Sequence, residues 1–585
     1  MQNFSQQCLD IARTILGHSL SSISEDGHII PVDGEPSSGA DAAHAIWAIG
    51  EYYRGTQEIW LHDFSLPKLA AQCMDFQTHA ADHTDDRSLS YSALGLFCFG
   101  ATQSRNHLWQ SLSPEARELF IKQLTHSPSH KDSHAALAIA RAVVCFCMGF
   151  TSKDETIHLV ESFLGSISQT APNGFIDHAP DEGIGGCYDI HGLWTLNLIQ
   201  QVVQMHIHHD LAQHLLPSIR THVESYLRLL PELIRSDGLA WTYGEHTGFY
   251  AQLLTLNALM LALAAGWIPH DRQSLYTHLV RRLFHCFFLH FVDQGHGSIV
   301  IRDLERTLSP SFSTRRANFD AVRYLCQWSM LAKKLLSLQL ESQDDEEKTG
   351  GRFIQFLHTP KKEQGVFIYC NAEQKAHYAL PLLSGCGKGS CENLAFPHCP
   401  GIFDAPIDTY LPILQPELTI NGQLFIPSFY GKNCATGMGS RHSFFFRYEQ
   451  PELISHQETI VSDLAHCRVT WIFSEDCITS EFIYTVANRL KVDQVRYVIA
   501  LSAPHSLYGA HGLMLGAESL RAIVEKDDFG MAWKDLVTVH NDPQYRTAYG
   551  AIHFLQILSR TNPIFLLPGK PYHLKISFHP DIIHH

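Results

Sequence analysis

The spacing of apolar residues changes once along this chain, and that change limits the folds that it can adopt. Up to about residue 340, apolar residues recur every three or four positions, which predicts amphipathic helices. Short turns that are polar or contain glycine or proline separate these segments, so neighbouring helices should pair as antiparallel hairpins. The predicted helical segments include "DAAHAIWAIGEYYRG", "SHAALAIARAVVCFCMGF", "IHGLWTLNLIQQVVQMH", "THVESYLRLLPELIR" and "FYAQLLTLNALMLALAAG".

Beyond that position, apolar and polar residues alternate, which predicts β-strands. The segments are rich in β-branched and aromatic residues and are bounded by turn-forming residues. So many strands without a helical segment between them predict a large antiparallel sandwich. The predicted strands are "GRFIQFLHT", "QGVFIYCNA", "HSFFFRYEQ", "CRVTWIFS", "ITSEFIYTVA", "QVRYVIALSA", "AIHFLQILS" and "YHLKISFHP".

A charged run, "LESQDDEEKTGG", separates the two patterns and ends in Gly350 and Gly351. A chain of 585 residues is also too long for a single core. We therefore predict an α+β multidomain protein with an N-terminal α/α toroid at 1–340, a linker at 341–351 and a C-terminal antiparallel β-sandwich at 352–585.

Three turn dipeptides favour the toroid, which is an incomplete helical barrel built from helical hairpins. Asp26-Gly27, Asn173-Gly174 and Asp237-Gly238 each open an extended stretch that leads into a predicted helix. Repeated hairpins of this kind are what an α/α toroid needs.

The composition narrows the choice of partners and compartment. The formal net charge is −16, so non-specific binding to nucleic acid or to an anionic membrane is not expected. No apolar stretch reaches the roughly 20 residues that span a bilayer, and the start "MQNFSQQCLDIARTILGHSL" lacks the basic region and cleavage site of a signal peptide. The 15 cysteines form no CxxC pair and lie in apolar runs, as reduced thiols do. We therefore expect a cytoplasmic protein; the sequence does not determine its oligomeric state.

Three helix starts carry polar residues on one face, because residues three and four apart share a face of a helix. In a toroid whose helices begin at one end, these stripes would face a common cavity. The stripes are Tyr243, His246 and Tyr250; Tyr188, His191 and Trp194; and Asp41, His44, Trp47 and Glu51. The alternative is structural, since a Tyr or His near a helix start is often an edge-of-core residue and Asp41 or Asp189 would suit a helix cap.

A loop and a basic segment add further candidates. The loop "APNGFIDHAPDEGIGGCYDIHGLW" holds Asp177, although loops of this composition are also ordinary surface turns. The segment "TRRANFDAVRYL" supplies Arg316 and Asn318, which could grip a carboxylate or sulfate because the guanidinium fork suits a planar anion. Alternatively, these arginines cover a helix surface or pair with acids such as Asp320. No HExxH or other compact ligand set occurs, so we predict neither a metal nor a cofactor.

The order "NGFIDHAPDEG…YDIHGLW" and "DG…WTYGEHTGFY" within a helical half, followed by a β half, resembles the heparinase II/III-like and alginate-lyase-like polysaccharide lyases. The resemblance covers the layout of nearly the whole chain and implies a Tyr-His pair on a helix, which Tyr188 and His191 match approximately. It also implies a "YGR" element, which Tyr243, Gly244 and Tyr250 echo. In this chain, Glu245 and His246 replace the expected Arg and small polar residue, and the second tyrosine lies one position further on. A histidine from the β domain is also implied, for which His398 and His442 are the counterparts.

Elimination from a uronate requires removal of the C5 proton while negative charge develops on the carboxylate. A Tyr or His within reach serves as base, and a tyrosine can protonate the leaving oxygen. A tyrosine titrates near 10, so it acts as a base only beside a cation. A cluster of Tyr, His and Arg is therefore the pattern that this reaction needs.

Two other functions fit parts of the sequence. Helical toroids also host glycoside hydrolases, which use paired carboxylates; Asp177, Asp181, Glu182 and Glu245 would then act as acid and base. A non-catalytic carbohydrate-binding protein would keep the cleft without the chemistry. The product separates the three, because a lyase forms an ultraviolet-absorbing unsaturated uronate, a hydrolase forms only a new reducing end, and a binder forms neither.

We predict a polysaccharide or oligosaccharide lyase-like enzyme that acts on uronate-containing glycans by β-elimination, without a metal. The missing export signal favours imported acidic oligosaccharides as substrates. The predicted acid and base are Tyr243 and Tyr188, with His191 and His246 as charge-stabilising partners. The predicted substrate-binding residues are Arg316, Asn318, Glu245, Tyr250, Trp194, Asp177, His398 and His442.

Overall fold

The structure of the protein is a computed structural model. It describes residues 2–32, 40–79, 85–125, 135–170, 174–175, 188, 190–204, 209–234, 238, 240, 248–300, 313–335, 349–371, 376–382, 390–392, 402–404, 415–428, 430–440, 443–455, 460–474, 477–501, 506–509, 512–515, 520–533, 537–538, 546–547, 550–551 and 554–580.

The described helices all lie in the first part of the chain. They are α1 (Gln2–Leu20), α2 (Asp41–Thr56), α3 (Leu66–His79), α4 (Asp86–Cys98), α5 (His107–Ser111), α6 (Pro114–Thr125), α7 (Ala135–Cys147), α8 (Lys153–Thr170), α9 (Ile190–Gln204), α10 (His209–Leu233), α11 (Phe249–Ala264), α12 (Gln273–Phe291) and α13 (Thr314–Leu335). Two short hairpins accompany them, formed by β1 (Trp60–Leu61) with β2 (Phe64–Ser65) and by β3 (Val292–Asp293) with β4 (Ser298–Ile299).

Six of these helices form an inner ring, in which α2, α4, α7, α9, α11 and α13 each contact the next and α13 contacts α2 again. The other long helices pack outside them: α3 on α2, α6 on α4 and α7, α8 on α7, α10 on α9, α12 on α11, and α1 on α13. The first helix of the chain is therefore the outer partner of the last inner helix, and the Ser5 and Ser329 hydroxyls join the two at 2.8 Å. This arrangement confirms the predicted α/α toroid.

The burial of the inner helices follows from their sequences. Helix α11 is buried from Phe249 to Leu263, and α2 is buried from Asp41 to Tyr53. A helix that is covered on all sides carries apolar residues on every face, as α11 does, and its buried polar side chains, Gln252 and Asn257 among them, form hydrogen bonds inside the protein. The outer helices keep a polar face toward solvent, which gives the helical period seen in the sequence.

The inner helices run parallel to one another. Between α2 and α13, Asp41 contacts Arg316, His44 contacts Asp320, and Glu51 contacts Gln327, so the two helices run in the same direction. Antiparallel outer helices return the chain to the starting end after each inner helix. All six inner helices therefore begin at one end of the toroid, which we call the starting end.

The glycines of the three predicted turn dipeptides have the backbone geometry of a turn. Gly27, Gly174 and Gly238 have φ angles of 85°, 84° and 88°, in the left-handed region that favours glycine. A Cβ on Gly238 would also lie 2.5 Å from the carbonyl oxygen of Arg282 on α12, so this turn packs too closely for a larger residue.

The second part of the chain is built from strands. They are β5 (Gly350–His358), β6 (Glu363–Asn371), β7 (Ala376–Leu382), β8 (Ser390–Glu392), β9 (Ile402–Asp404), β10 (Pro416–Ile420), β11 (Gln423–Pro427), β12 (Lys432–Met438), β13 (Phe444–Ser455), β14 (Ile460–Phe473), β15 (Ile478–Thr485), β16 (Leu490–Val492), β17 (Gln494–Leu501), β18 (Ser506–Gly509), β19 (Gly512–Leu515), β20 (Leu520–Asp527), β21 (Ala532–Trp533), β22 (Val537–Thr538), β23 (Arg546–Thr547), β24 (Gly550–Ala551), β25 (Phe554–Arg560), β26 (Ile564–Leu566) and β27 (Tyr572–Pro580).

These strands form an antiparallel sandwich, as predicted. The large sheet has 14 strands and runs β18-β19-β20-β27-β15-β14-β13-β11-β10-β17-β25-β21, with β12 on β13 and β22 on β25. A three-stranded sheet, β5-β6-β7, packs against it. Phe367 of β6 stacks on Phe446 of β13 with ring centroids 4.9 Å apart, and the register sets Phe446 opposite Trp471 of β14. Aromatic pairs across the two sheets therefore fill this core.

Strand β6 belongs to two cores at once. Its residues Phe367 and Tyr369 pack in the core of the sandwich, whereas Val366 and Ile368 pack in the core of the toroid. Because alternate residues of a strand point to opposite faces, a strand between two cores must be apolar throughout. This explains the run "VFIYC", and it makes the three-stranded sheet the layer shared by the two parts.

The described residues leave out 336–348, and these include most of the predicted linker at 341–351. Helix α13 ends at Leu335, and Gly350 and Gly351 belong to β5. The division at residue 340 stays a prediction. Across the described helices, none combines the length and apolarity required of a membrane span.

Candidate functional site at the starting end of the toroid

Charged side chains of α2 and α13 meet at the starting end. Asp41, the first residue of α2, accepts hydrogen bonds from Nε of Arg316 at 2.9 Å and from Oγ of Ser313 at 3.0 Å. A second nitrogen of Arg316, Nη2, lies 2.9 Å from the same carboxylate. Ser313 also accepts a bond from the backbone N–H of Arg316 at 3.1 Å, and it thereby caps α13. The Asp41 carboxylate therefore joins the starts of the two helices.

A histidine–aspartate pair lies one turn further along the same helices. Nδ1 of His44 is 2.9 Å from Oδ1 of Asp320, and the Tyr250 hydroxyl donates to Oδ2 of Asp320 at 3.0 Å. All three side chains are buried. An ionised carboxylate only accepts hydrogen bonds, so Nδ1 carries the hydrogen and Nε2 of the neutral imidazole keeps its lone pair. This is the arrangement of a base that is oriented by a carboxylate.

The surroundings of this pair fix its protonation. Burial by itself raises the pKa of Asp320, but the attraction of His44 and Arg323 and the bond from Tyr250 outweigh it and lower the pKa to about 2. Burial lowers the pKa of His44 against the opposing attraction of Asp320. Burial and then Asp320 raise the pKa of Tyr250 well above its usual value. At neutral pH the three groups are therefore an ionised carboxylate, a neutral imidazole and a protonated hydroxyl.

Arg323 contacts the same carboxylate from the next turn of α13. Its Nη2 lies 3.3 Å from Oδ1 of Asp320. Its guanidinium carbon lies 3.8 Å from the ring centroid of Trp47, 4.3 Å from that of Tyr324 and 5.8 Å from that of Tyr91. Cation–π attraction therefore helps to hold this buried charge inside the ring of helices.

The start of α4 contacts α7 and α9 at the same end. Asp86, the first residue of α4, accepts a hydrogen bond from Nη1 of Arg141 on α7 at 2.8 Å. The guanidinium carbon of Arg87 lies 5.8 Å from the ring centroid of Trp194 on α9. The Tyr91 ring stands edge-on to His44, with centroids 4.7 Å apart. Contacts among side chains near the helix starts thus extend around the ring.

Polar groups continue along the interior away from this end. Glu51 accepts hydrogen bonds at Oε1 from Nε1 of Trp47 at 3.3 Å and from Nε2 of Gln327 at 2.8 Å. Oε1 of Gln327 accepts in turn from Nε2 of Gln201 at 3.2 Å. Nη2 of Arg54 lies 2.6 Å from Oε2 of Glu51 and balances its charge. The stripe predicted on α2 therefore faces the interior of the ring along its whole length.

The structure brings some predicted site residues together. Tyr250 and Arg316 both contact the acids described above, so they share one region with the α2 stripe. Arg316 forms an ion pair with Asp41, whereas Arg323 forms one with Asp320. Neither contact tests a role toward a substrate, so the proposed grip of Arg316 on a carboxylate stays a prediction.

Other predicted residues lie further around the starting end or make structural contacts. Tyr188 is 4% exposed and packs on Phe356 of β5, with ring centroids 5.4 Å apart. His191 and Trp194 are half-buried on the first turns of α9. The side-chain oxygen of Asn318 accepts a hydrogen bond from the backbone N–H of Ile299 at 2.7 Å, which attaches β4 to α13. Their roles in substrate binding or catalysis stay predictions.

The remaining predicted residues lie outside the described residues, and so do the loop acids named above. These are Tyr243, His246, Glu245, Asp177, His398 and His442, with Asp181 and Glu182.

Asp320, Arg323 and Tyr91 were not among the site residues predicted from the sequence. The signal for the first two was present, because Arg316, Asp320 and Arg323 follow the spacing i, i+4, i+7 and share one face of α13. A face that carries three charges on an otherwise buried helix needs partners inside the protein. No group of three or more His, Cys, Asp or Glu side chains in the described part of the chain is arranged to hold a metal ion.

The three-stranded sheet covers part of the starting end. Phe356 of β5 stacks on Phe175, with ring centroids 4.4 Å apart, and it contacts Tyr188 just before α9. Arg352 of β5 forms an ion pair with Glu232 at the end of α10. The sandwich therefore contacts the toroid at the end where its buried charges are gathered.

Comparison with known proteins finds similarity in structure alone. No protein-family profile and no curated protein sequence matches this chain at a significant level. Among solved structures, the chain is similar to a chondroitin AC lyase of Streptomyces coelicolor A3, with 11% identity over 99% of this chain and 80% of the lyase, at a TM-score of 0.49. Heparinase III is similar at 10% identity over 94% of this chain and 86% of its own, with a TM-score of 0.34. A family 88 glycosyl hydrolase of Bacteroides vulgatus is similar at 12% identity over 56% of this chain and 99% of its own, with a TM-score of 0.41. The similar structures thus include polysaccharide lyases, the group that the sequence resembles.

Proposed function

We propose that this protein cleaves uronate-containing oligosaccharides by β-elimination at the starting end of the toroid. The observation that supports the proposal is the contact of His44 and Tyr250 with the two oxygens of Asp320. A neutral imidazole whose Nδ1–H is held by an ionised carboxylate presents Nε2 as a base near neutral pH. Removal of the C5 proton of a uronate needs such a base.

In the proposed reaction, Nε2 of His44 accepts the C5 proton. The electron pair left at C5 delocalises into the uronate carboxylate and then forms the C4–C5 double bond as the bond from C4 to the leaving oxygen breaks. That oxygen takes a proton from a tyrosine hydroxyl, for which Tyr243 and Tyr188 remain the donors predicted from the sequence. Asp320 orients the imidazole and stabilises its charged form, and the Tyr250 hydroxyl holds Asp320 in position.

Elimination fits the described groups better than hydrolysis does. The general acid of a glycoside hydrolase needs a raised pKa so that it keeps its proton at neutral pH. The pKa of Asp320 is instead lowered to about 2, because nearby positive charge and hydrogen bonds outweigh its burial. Asp41 is likewise occupied by hydrogen bonds from Arg316 and Ser313. Neither carboxylate is arranged to donate a proton.

The test is incubation with a panel of uronate-containing oligosaccharides, with ultraviolet absorbance and new reducing ends both recorded. The wild-type protein should form an absorbing unsaturated uronate. In the His44→Asn variant the amide nitrogen can replace Nδ1 toward Asp320, but no base remains, so turnover should fall by about 100-fold or more. The matched control is His296→Asn, because His296 pairs with Asp293 through Nδ1 at 2.7 Å on the surface.

The products separate this proposal from the alternatives. New reducing ends without absorbance would show hydrolysis, and binding without either product would show a carbohydrate-binding protein. Full activity in His44→Asn would remove His44 from the reaction. The cytoplasmic location expected from the sequence, and the imported oligosaccharides that it favours, remain part of the proposal.

A further inference from the structure

One buried arginine beside the proposed base has N–H donors for which the described residues offer no acceptor. The side chain of Arg323 is 4% exposed, and its one ion-pair contact with an acid is Nη2 to Asp320 at 3.3 Å. Nε and Nη1 are buried and lack a hydrogen-bond partner among the residues that the structure describes. These two nitrogens carry three of the five N–H donors of a guanidinium group.

The neighbouring rings do not replace the missing acceptors. Trp47 and Tyr324 lie 3.8 and 4.3 Å from the guanidinium carbon, measured to their ring centroids, so they stabilise the positive charge through their π faces. The N–H donors lie in the plane of the guanidinium group and need acceptors at its edges. Buried donors of a charged group that stay unpaired are costly, so an arrangement of this kind indicates a missing acceptor.

The other arginine of this face shows the contrast. Arg316 directs Nε and Nη2 at Asp41, both at 2.9 Å, and these donors are therefore occupied. Arg316 had been the predicted carboxylate grip, but the donors without an acceptor belong to Arg323, one turn beyond Asp320. Arg323 also lies inside the ring of helices, where Trp47 of α2 and Tyr91 of α4 surround it.

We propose that Arg323 binds the carboxylate of a uronic acid ligand in the interior of the toroid, beside His44. The inference rests on the proposed function, since it places the uronate whose C5 proton His44 would remove. A planar carboxylate fits the guanidinium edge with two parallel hydrogen bonds. The bound carboxylate is also where negative charge develops during elimination, so Arg323 would stabilise that charge.

The test measures binding without turnover. Methyl glucuronide carries the carboxylate but has only a hydroxyl at C4, so it has no sugar to eliminate; methyl glucoside is its neutral counterpart, and methyl glucoside 6-sulfate carries a tetrahedral anion instead. Ligand-observed NMR titration gives the three dissociation constants. We expect the wild-type protein to bind the glucuronide at least about tenfold more tightly than the glucoside or the sulfate ester.

The variant Arg323→Lys keeps a positive charge near Asp320 but loses the planar fork, and it should bring the affinity ratio of glucuronide to glucoside close to one. The matched control is Arg54→Lys, which changes the buried ion pair with Glu51 in the last turn of α2, away from the starting end. That variant should keep the wild-type ratio. Circular dichroism confirms that each variant is folded, and Arg323→Gln serves where Arg323→Lys does not fold.

Three results would overturn the assignment: no preference of the wild-type protein for the glucuronide, equal affinity for the sulfate ester, or an unchanged preference in a folded Arg323 variant. The first two do not depend on any variant. Failure of the proposed function gives a different result, in which the glucuronide binds selectively through Arg323 while no oligosaccharide yields an unsaturated product.

Discussion

The interiors of the toroid and of the sandwich are stabilised by different interactions. In the toroid, charged side chains such as Asp41, Glu51 and Asp320 are buried inside the ring and paired with arginines. In the described part of the sandwich, the one buried charged side chain is Glu417, which pairs with Arg496. Stacked aromatic residues fill the rest of the sandwich core.

Buried ion pairs do not by themselves make a protein interior more stable. Hydrophobic side chains of the same volume often stabilise a core as well as a buried ion pair does. Under the proposed function, the toroid keeps buried ion pairs, such as Asp41 with Arg316 and Asp320 with Arg323, at the end where the reaction would use them. The sandwich contributes the sheet β5-β6-β7, which packs on the toroid at that end.

The largest expected difference between the two halves comes from neutralising their buried acids. Asp320→Asn should lower the free energy of unfolding by about 3–5 kcal/mol, because it leaves the buried Arg323 charge without its partner. Glu417→Gln should cost about 1 kcal/mol or less, because solvent reaches the partly exposed side chain of Arg496. Urea denaturation followed by circular dichroism measures both. Equal costs would contradict the comparison.

The second prediction concerns pH, and the two acids should respond in opposite directions. The pKa of Asp320 is about 2 in the folded protein against 3.8 for a free carboxyl, so its ionisation stabilises the fold above pH 4, and this contribution is lost as the pH falls from 4 to 2. The shift corresponds to about 2 kcal/mol. Burial outweighs Arg496 and raises the pKa of Glu417, so acid should relieve a cost there.

Denaturation of the wild-type protein and of each neutral variant between pH 2 and pH 6 measures these contributions. The free-energy difference between wild type and Asp320→Asn should shrink toward pH 2. Relative to Glu417→Gln, the wild-type protein should instead gain stability as the pH falls through the pKa of Glu417. A difference for Asp320→Asn that stays constant with pH would contradict the lowered pKa.

The architecture could be predicted from local patterns, because the spacing of apolar residues in each helix or strand reflects which of its faces is buried. The change in the spacing of apolar residues predicted a helical half and a β half, and the glycines of the predicted turns have positive φ angles. The pairing of α1 with α13 could not be predicted, because it joins the first helix to the last through contacts such as Ser5 with Ser329. No local pattern encodes a contact over that separation.

The site could be predicted only where its residues form a pattern within one helix. The stripe of Asp41 and His44 was visible as a pattern on one helix, and so was Tyr250. Asp320, the common partner of His44 and Tyr250, lies 276 residues from His44 in the sequence, and the sequence does not specify which turn of α13 faces which turn of α2. The same limit explains why Arg316, and not Arg323, was predicted to bind a carboxylate. Only the structure shows which N–H donors already have an acceptor.

The smallest expected effect comes from replacing one buried tyrosine with phenylalanine in each half. The substitution should lower stability in the toroid and raise it in the β half. The Tyr250 hydroxyl donates to the ionised Asp320, so Tyr250→Phe should lower the free energy of unfolding by about 1.5 kcal/mol. The Tyr430 hydroxyl in the β half is buried and has no hydrogen-bond partner among the described residues, so Tyr430→Phe should raise it by up to about 1 kcal/mol. Both variants lose one oxygen and keep the ring, so packing changes little in either. Should both substitutions destabilise equally, the hydroxyl of Tyr430 must have an acceptor, and the contrast between a polar toroid interior and an apolar sandwich interior would be weaker than the structure indicates.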